Sequence, residues 1–170
     1  MIFVTVGTHE QSFNRLIKKI DELRRDNIIE EEVFIQIGYS SYEPQHCKWK
    51  RLLSYKEIIR MYEISDIIIT HGGPASFMKA LEFNKTPIVV PRQEKFNEHI
   101  NNHQVEFVKL VEERFNNIIL VDDLENLEIV IKNYHEIVRK KNIKKMSGNE
   151  QFNKKMIQLV EKLEKKLGKK

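Results

Sequence analysis

Short apolar runs alternate with stretches of helical periodicity along this chain, and that alternation leaves few architectures open. Ile2-Phe3-Val4-Thr5-Val6 reads as a strand ending at Gly7-Thr8, after which Phe13, Leu16, Ile17, Ile20 and Leu23 recur at helical spacing. Val33 to Gly38 reads as a second strand and the Trp49 region through Leu53 as a third. A short helix carrying Ile58, Ile59, Met61 and Tyr62 precedes a fourth strand, Asp66 to Thr70. The pattern continues with a helix from about Ala75 to Phe83, a strand Pro87 to Val90 and a helix from about Glu98 to Glu113. A strand Asn117 to Val121 and a helix Leu124 to Val138 complete it. Strands joined through helices pair in parallel, so the expected class is α/β, an open parallel sheet with helices on both faces.

The 170 residues, 41% of them hydrophobic, suffice for one domain with a substantial core. No stretch has the make-up of a secretory leader or approaches the roughly 20 apolar residues of a membrane span, which reads as a cytoplasmic protein. The single cysteine, Cys47, has no internal partner for a disulfide. Net charge is +4, unevenly spread: residues 139–170 hold 12 basic and 3 acidic residues, leaving residues 1–138 at a net of −5. A mildly acidic body argues against a nucleic-acid platform, whereas the basic end suits an anionic surface or partner. The composition shift near residue 140 divides the chain into residues 1–140, an α/β domain, and residues 141–170, a basic amphipathic helix. Phe152, Met156, Leu159, Leu163 and Leu167 line one face of that helix. Its stripe either packs back on the same domain or docks on a partner or an anionic membrane surface.

In an open parallel sheet, ligands bind beyond the carboxyl ends of the strands, where strand order reverses. Two loops have that place. Gly7-Thr8-His9-Glu10-Gln11-Ser12 follows the first strand: Gly7 permits close backbone approach, Thr8 can cap the helix or bond a phosphate oxygen, and His9 can hydrogen-bond or transfer a proton. Neither G-x-G-x-x-G nor G-x-x-x-x-G-K-[ST] is present, which removes the standard dinucleotide and P-loop readings. Thr70-His71-Gly72-Gly73-Pro74-Ala75-Ser76 joins the Ile67-Ile68-Ile69 run to a helix with proline near its first position. The unpaired donors and positive dipole end of such a helix favour an anion. His71 there reads either as a satisfied turn histidine or as a donor toward a diphosphate. A third element, Pro91-Arg92-Gln93 with Glu98-His99 and Asn102-His103-Gln104, gathers amides, a carboxylate and imidazoles after a strand. Such groups suit sugar hydroxyls, because they offer donors and acceptors in fixed directions. His99 and His103 fall four apart, on one helix face in this reading, but a third ligand and H-E-x-x-H order are absent, so no metal is expected.

Val4-Thr5-Val6-Gly7-Thr8 with Phe13, His71-Gly72-Gly73-Pro74-Ala75-Ser76, Pro87-Ile88-Val89-Val90-Pro91, and Glu98-His99 with Asn102-His103-Gln104 follow one another at specific spacings. Together, over residues 1 to about 125, they resemble the C-terminal, nucleotide-sugar-binding half of GT-B glycosyltransferases of family 28, the MurG type. The small stand-alone version of that half is the nearer likeness: PssE/EpsE-like subunits of bacterial polysaccharide synthesis and the catalytic subunit of the eukaryotic bipartite dolichol-linked GlcNAc transferase. The resemblance implies a Rossmann-like, single GT-B C-terminal-type half that binds a UDP-sugar. Gly7, Thr8, Gly72 and Gly73 would face the diphosphate, with His71, Pro74 and Ser76 in the same turn. Arg92 and Gln93 would lie near the uridine or sugar, and His103 and Gln104 near the sugar hydroxyls, with Glu98 and His99 in that element. Where larger relatives hold the ribose with a glutamate, this chain has Lys79, and Glu82 lies three residues on.

The implied reaction moves a hexose, galactose or N-acetylglucosamine, onto a lipid-linked saccharide in exopolysaccharide or capsule biosynthesis, with inversion and with no metal or other cofactor. His9 and Glu10 are this chain's candidates for the catalytic base. A full GT-B enzyme has two halves, so the resemblance also implies a PssD-like, membrane-associated partner that supplies the acceptor side and holds this subunit at the inner face of the cell membrane. The alternative is a non-catalytic nucleotide-binding or scaffold subunit that stabilises a partner glycosyltransferase.

Overall fold

The computed structural model describes residues 1–141 and 158–159. Six strands, β1 (Ile2–Thr5), β2 (Val33–Gln36), β3 (Lys48–Lys50), β4 (Ile67–His71), β5 (Ile88–Val90) and β6 (Ile119–Leu120), form one sheet in the order β3-β2-β1-β4-β5-β6. Every pairing is parallel. The helices are α1 (Asn14–Arg25), α2 (Tyr55–Ile64), α3 (Pro74–Glu82), α4 (His103–Phe115), α5 (Leu127–Lys132) and α6 (Tyr134–Lys140). This is the α/β, doubly wound open sheet that the alternating pattern predicts.

Strand alternation assigns the helices to faces. Ile2, Val4, Ile67, Ile69, Ile88 and Val90 pack with Leu16, Ile17 and Ile20 of α1, with Leu127 and Ile131 of α5 and with Tyr134 of α6. The intervening Phe3 and Ile68 meet Tyr62 of α2 and Ala80 of α3, while Val89 meets Phe77 of α3 and Phe107, Val108 and Val111 of α4. Burial on both faces explains why the central strands are nearly continuous isoleucine and valine.

Three elements differ from the sequence reading by more than a residue or two at their ends. The third strand is Lys48–Lys50, ahead of the expected Trp49 to Leu53; it is the sheet edge, with two exposed lysines flanking a half-buried Trp49, a composition that discourages further pairing. The expected helix from Glu98 begins only at His103, after a 3-10 turn, Glu94–Phe96, and a loop. The last expected helix is broken at Asn133, whose side-chain amide donates to the Ile129 carbonyl (2.8 Å), so that α5 and α6 are separate.

Leu159 is 4% exposed and packs with Phe77, Val89, Phe107, Val108, Val111 and Ile118, so at this position the stripe of the C-terminal segment is covered by the domain's own α3–α4 face. Phe152, Met156, Leu163 and Leu167, and the rest of the 141–170 helix, lie outside the described residues. Among the described residues no helix is long and apolar enough to cross a membrane.

Candidate functional site

The order β3-β2-β1-β4-β5-β6 reverses between β1 and β4, and Thr5 pairs with Thr70 across that boundary. From there the chain leaves β1 toward α1 on one face and leaves β4 toward α3 on the other. The diverging connections open a crevice at the carboxyl ends of two neighbouring strands, the place where this class of sheet binds ligands. The Gly7-to-Ser12 and His71-to-Gly73 loops border it.

The glycines of these loops have a further use besides exposing backbone. A Cβ on Gly7 would stand 2.5 Å from His71 Cε1, and one on Gly73 would stand 2.3 Å from His71 Nε2. The imidazole therefore lies between the two glycines, and only their lack of a side chain makes room for it. Gly7 also has φ +73°, which disfavours any other residue. Gly72 is packed in turn by Gln104, whose Cβ lies 3.0 Å from the position of an added Cβ. Burial lowers the His71 pKa to about 4, with the positive charges of Arg92 and His9 acting in the same sense. The backbone of Thr5 acts in the opposite sense, and the buried Nδ1 has no hydrogen-bond partner among the described residues.

Arg92 is 1% exposed, and its guanidinium faces protein carbonyls. Nη1 donates to Gln11 O (2.7 Å), Ser12 O (3.2 Å) and Glu98 O (3.2 Å), and Nη2 donates to Val6 O (3.0 Å). Its backbone N–H donates to Gln104 Oε1 (3.1 Å). One side chain thereby ties the β1–α1 loop to the segment after β5. Its planar fork explains the choice of arginine, since a single ammonium reaches fewer carbonyls. The Glu98 carboxylate is committed elsewhere, accepting two bonds from Arg15 (2.8 and 2.9 Å) and one from the Gln93 N–H (3.1 Å). Desolvation lowers the Arg92 pKa to about 10, with nearby Glu98 opposing. The result is a buried cation beneath the loops with no carboxylate among its hydrogen-bond partners. Gln93 is likewise engaged, its amide donating to Asp122 O (2.6 Å). Arg92, Gln93 and Glu98 thus shape the site from inside.

Thr8, His9 and Glu10 are exposed. Thr8 does not cap α1: the helix starts at Asn14, and no side chain caps it. His9 Nδ1 accepts a hydrogen bond from the Gln11 N–H (3.2 Å), and its ring lies 5.2 Å, centroid to centroid, from that of His99. Burial lowers the His9 pKa; Arg92 and His99 add to this and Glu10 opposes it. The expectation that His99 and His103 share a helix face is corrected. His99 lies in the loop and His103 opens α4, because Asn101 Oδ1 accepts the His103 N–H (3.1 Å) and meets His99 Nδ1 (3.0 Å).

No side chain caps the N-terminus of α3 at Gly73, where Pro74 takes the first helical position. The Ser76 N–H is spent on Gly73 O (3.1 Å), and its carbonyl accepts from Tyr62 Oη (2.8 Å). Lys79 and Glu82 form an ion pair with each other, so each occupies the other's charged group. Six buried side-chain polar atoms lack a hydrogen-bond partner among the described residues, and four of them, on Gln11, Thr70, His71 and Arg92, belong to the segments around the crevice. Such clustering of unmet polar groups is a mark of functional sites rather than of core packing. Arg15, Asn101 and Gly38 were not visible in the sequence as site residues. Arg15 meets a carboxylate 83 positions away, and Gly38, with φ +54°, would place a Cβ 2.5 Å from the Gly7 carbonyl. An N-x-H pattern before a helix is the one local signal that points to Asn101.

The family model of the glycosyltransferase family 28 C-terminal domain matches residues 1–164. No curated protein matches the sequence. Among solved structures, that of the glycosyltransferase SnogD from Streptomyces nogalater is similar, with 15% sequence identity and a TM-score of 0.45, over 82% of this chain and 39% of that chain. The chain thus spans well under half the length of that protein.

Proposed function

The chain belongs to the glycosyltransferase family 28 C-terminal domain family, and on that premise we propose that it is the donor-binding, catalytic subunit of a two-part inverting glycosyltransferase. The donor is a UDP-sugar carrying a hexose, galactose or N-acetylglucosamine. The acceptor is a lipid-linked saccharide presented by a membrane-associated second subunit, in synthesis of a surface polysaccharide, with this chain peripheral at the inner face of the membrane.

One observation carries this reading: the two glycine loops meet at the switch point above a buried, carbonyl-held Arg92 and beside the N-terminus of α3, which no side chain caps. A diphosphate in that crevice meets backbone donors, a helix dipole and a fixed cation, which together stabilise the charge that builds on the departing UDP. Transfer needs the acceptor oxygen to attack the anomeric carbon as the bond to the diphosphate oxygen breaks, and the acceptor's proton to pass to a base. No metal is assigned to this work. With Nδ1 engaged by the Gln11 N–H, neutral His9 holds its proton on Nε2 and serves better as a donor than as that base. The Lys79–Glu82 pair, which leaves no free carboxylate at the expected ribose position, favours a second reading, a nucleotide-binding or scaffold subunit without catalysis.

Co-purification with its membrane-associated partner, supplied with UDP-sugars and a lipid-linked saccharide, tests the proposal through UDP release. Turnover is expected to fall by roughly tenfold or more when Gly73, Gln104 or His9 is replaced by a bulkier or apolar residue. Unchanged turnover in all three overturns the catalytic reading. UDP binding by calorimetry without any turnover favours the second.

A further inference from the structure

Two histidines from different loops stand together at the mouth of the crevice, and their hydrogen bonds give them opposite chemical faces. His9 Nδ1 accepts from the Gln11 N–H, so the neutral ring carries its proton on Nε2. Asn101 Oδ1 accepts the backbone N–H of His103, which identifies it as the oxygen of that amide, and His99 Nδ1 at 3.0 Å from the same oxygen must then be a donor. Neutral His99 consequently has an unprotonated Nε2. Neither Nε2 has a hydrogen-bond partner among the described residues, and the ring centroids are 5.2 Å apart. A free N–H beside a free nitrogen lone pair matches a group that both accepts and donates, namely a hydroxyl.

We infer that His9 and His99 form a hydroxyl-binding pair, in which His9 donates to the oxygen of an alcohol and His99 Nε2 accepts its proton. The inference rests on the transferase reading above and deepens it. The alcohol is the acceptor sugar's attacking hydroxyl, and His99 is the general base that this chain contributes. In the step, the O–H bond breaks with its proton passing to His99 Nε2, the oxygen bonds to the anomeric carbon, and the bond from that carbon to the diphosphate oxygen breaks with its electron pair leaving on UDP. Charged and titratable groups around the pair agree with this assignment. His9 faces the buried Arg92 cation, His99 and the exposed Glu10, and the first two oppose its protonation. His71, behind it, is held neutral by burial.

Long-range proton–nitrogen NMR correlation on the full chain labelled with nitrogen-15 histidine reads the tautomers directly. At about pH 7.5, above the histidine range, His9 is expected as the Nε2–H form and His99 as the Nδ1–H form; His99 carrying its proton on Nε2 overturns the pairing. In the complex with its partner, His99→Gln is expected to lower kcat by about a hundredfold or more with little change in the donor KM. His99→Ala should regain activity when free imidazole is added. Wild-type turnover that His99→Gln leaves unchanged overturns this inference alone. Absence of turnover in the wild-type complex overturns the transferase reading, and the proton-acceptor role with it.

Discussion

An imidazole enclosed between two glycine backbones gains a proton only at the expense of its surroundings, and His71 is such a ring. Its pKa of about 4 when folded lies below the 6.5 of a free histidine. As pH falls from about 6.5 toward 4 the unfolded chain takes up a proton that the folded chain does not. The neutral ring's contribution is therefore complete above about pH 6.5 and is lost as pH falls toward 4. The shift corresponds to at most roughly 3 kcal/mol. Urea unfolding across this range should show stability of the native chain declining with acid, and His71→Asn should flatten the slope; equal slopes would mean that the ring is protonated in place. The histidine and its glycines were legible in the sequence as a motif. Their mutual packing was not, since Gly7 and Gly73, which meet the same ring, stand 66 positions apart. Arg92 shows the same limit: the sequence marked it as a ligand-side residue, but three of its four carbonyl partners, on Val6, Gln11 and Ser12, lie 80 or more positions away and turn it into an internal brace.

Four elements in this chain are followed by an asparagine in the left-handed region. Asn27, Asn84, Asn97 and Asn116 all have positive φ, following α1, α3, the 3-10 turn and α4 in that order. Asparagine tolerates the left-handed region better than other residues with a side chain, which lets six glycines suffice for the whole chain. At Asn84, with φ 57°, replacement by glycine should leave stability unchanged or raise it by a few tenths of a kcal/mol, whereas valine should cost about 1–2 kcal/mol. Denaturant midpoints of the two variants check this, and a valine variant as stable as the native chain would refute it. The start of α2 was also open to local reading: Ser54 and Glu57 form a complete capping box. The start of α4 was not. Glu98, His99 and Ile100 have helical composition, yet Arg15, Gln93 and Asn101 hold their segment as a loop.

The C-terminal segment connects to the rest of the molecule at Leu159, which is buried against α3 and α4, the two helices whose N-terminal ends border the crevice. A buried leucine of this kind contributes about 2–4 kcal/mol against alanine. Leu159→Ala should therefore destabilise the whole domain by that order in thermal or urea unfolding of the full chain. An unchanged midpoint would show that the segment does not stabilise the body.

Strand count, parallel pairing, helices on both faces and the two loops worth watching followed from the sequence alone. They depend on hydrophobic period and on glycine and proline at turns, which act within a few residues. Strand order, and with it the meeting of β1 and β4 at a switch point, came only from the tertiary structure. So did the enclosure of His71, the burial of Arg92 and the approach of His9 to His99, because each arises from contacts between segments that local periodicity does not couple.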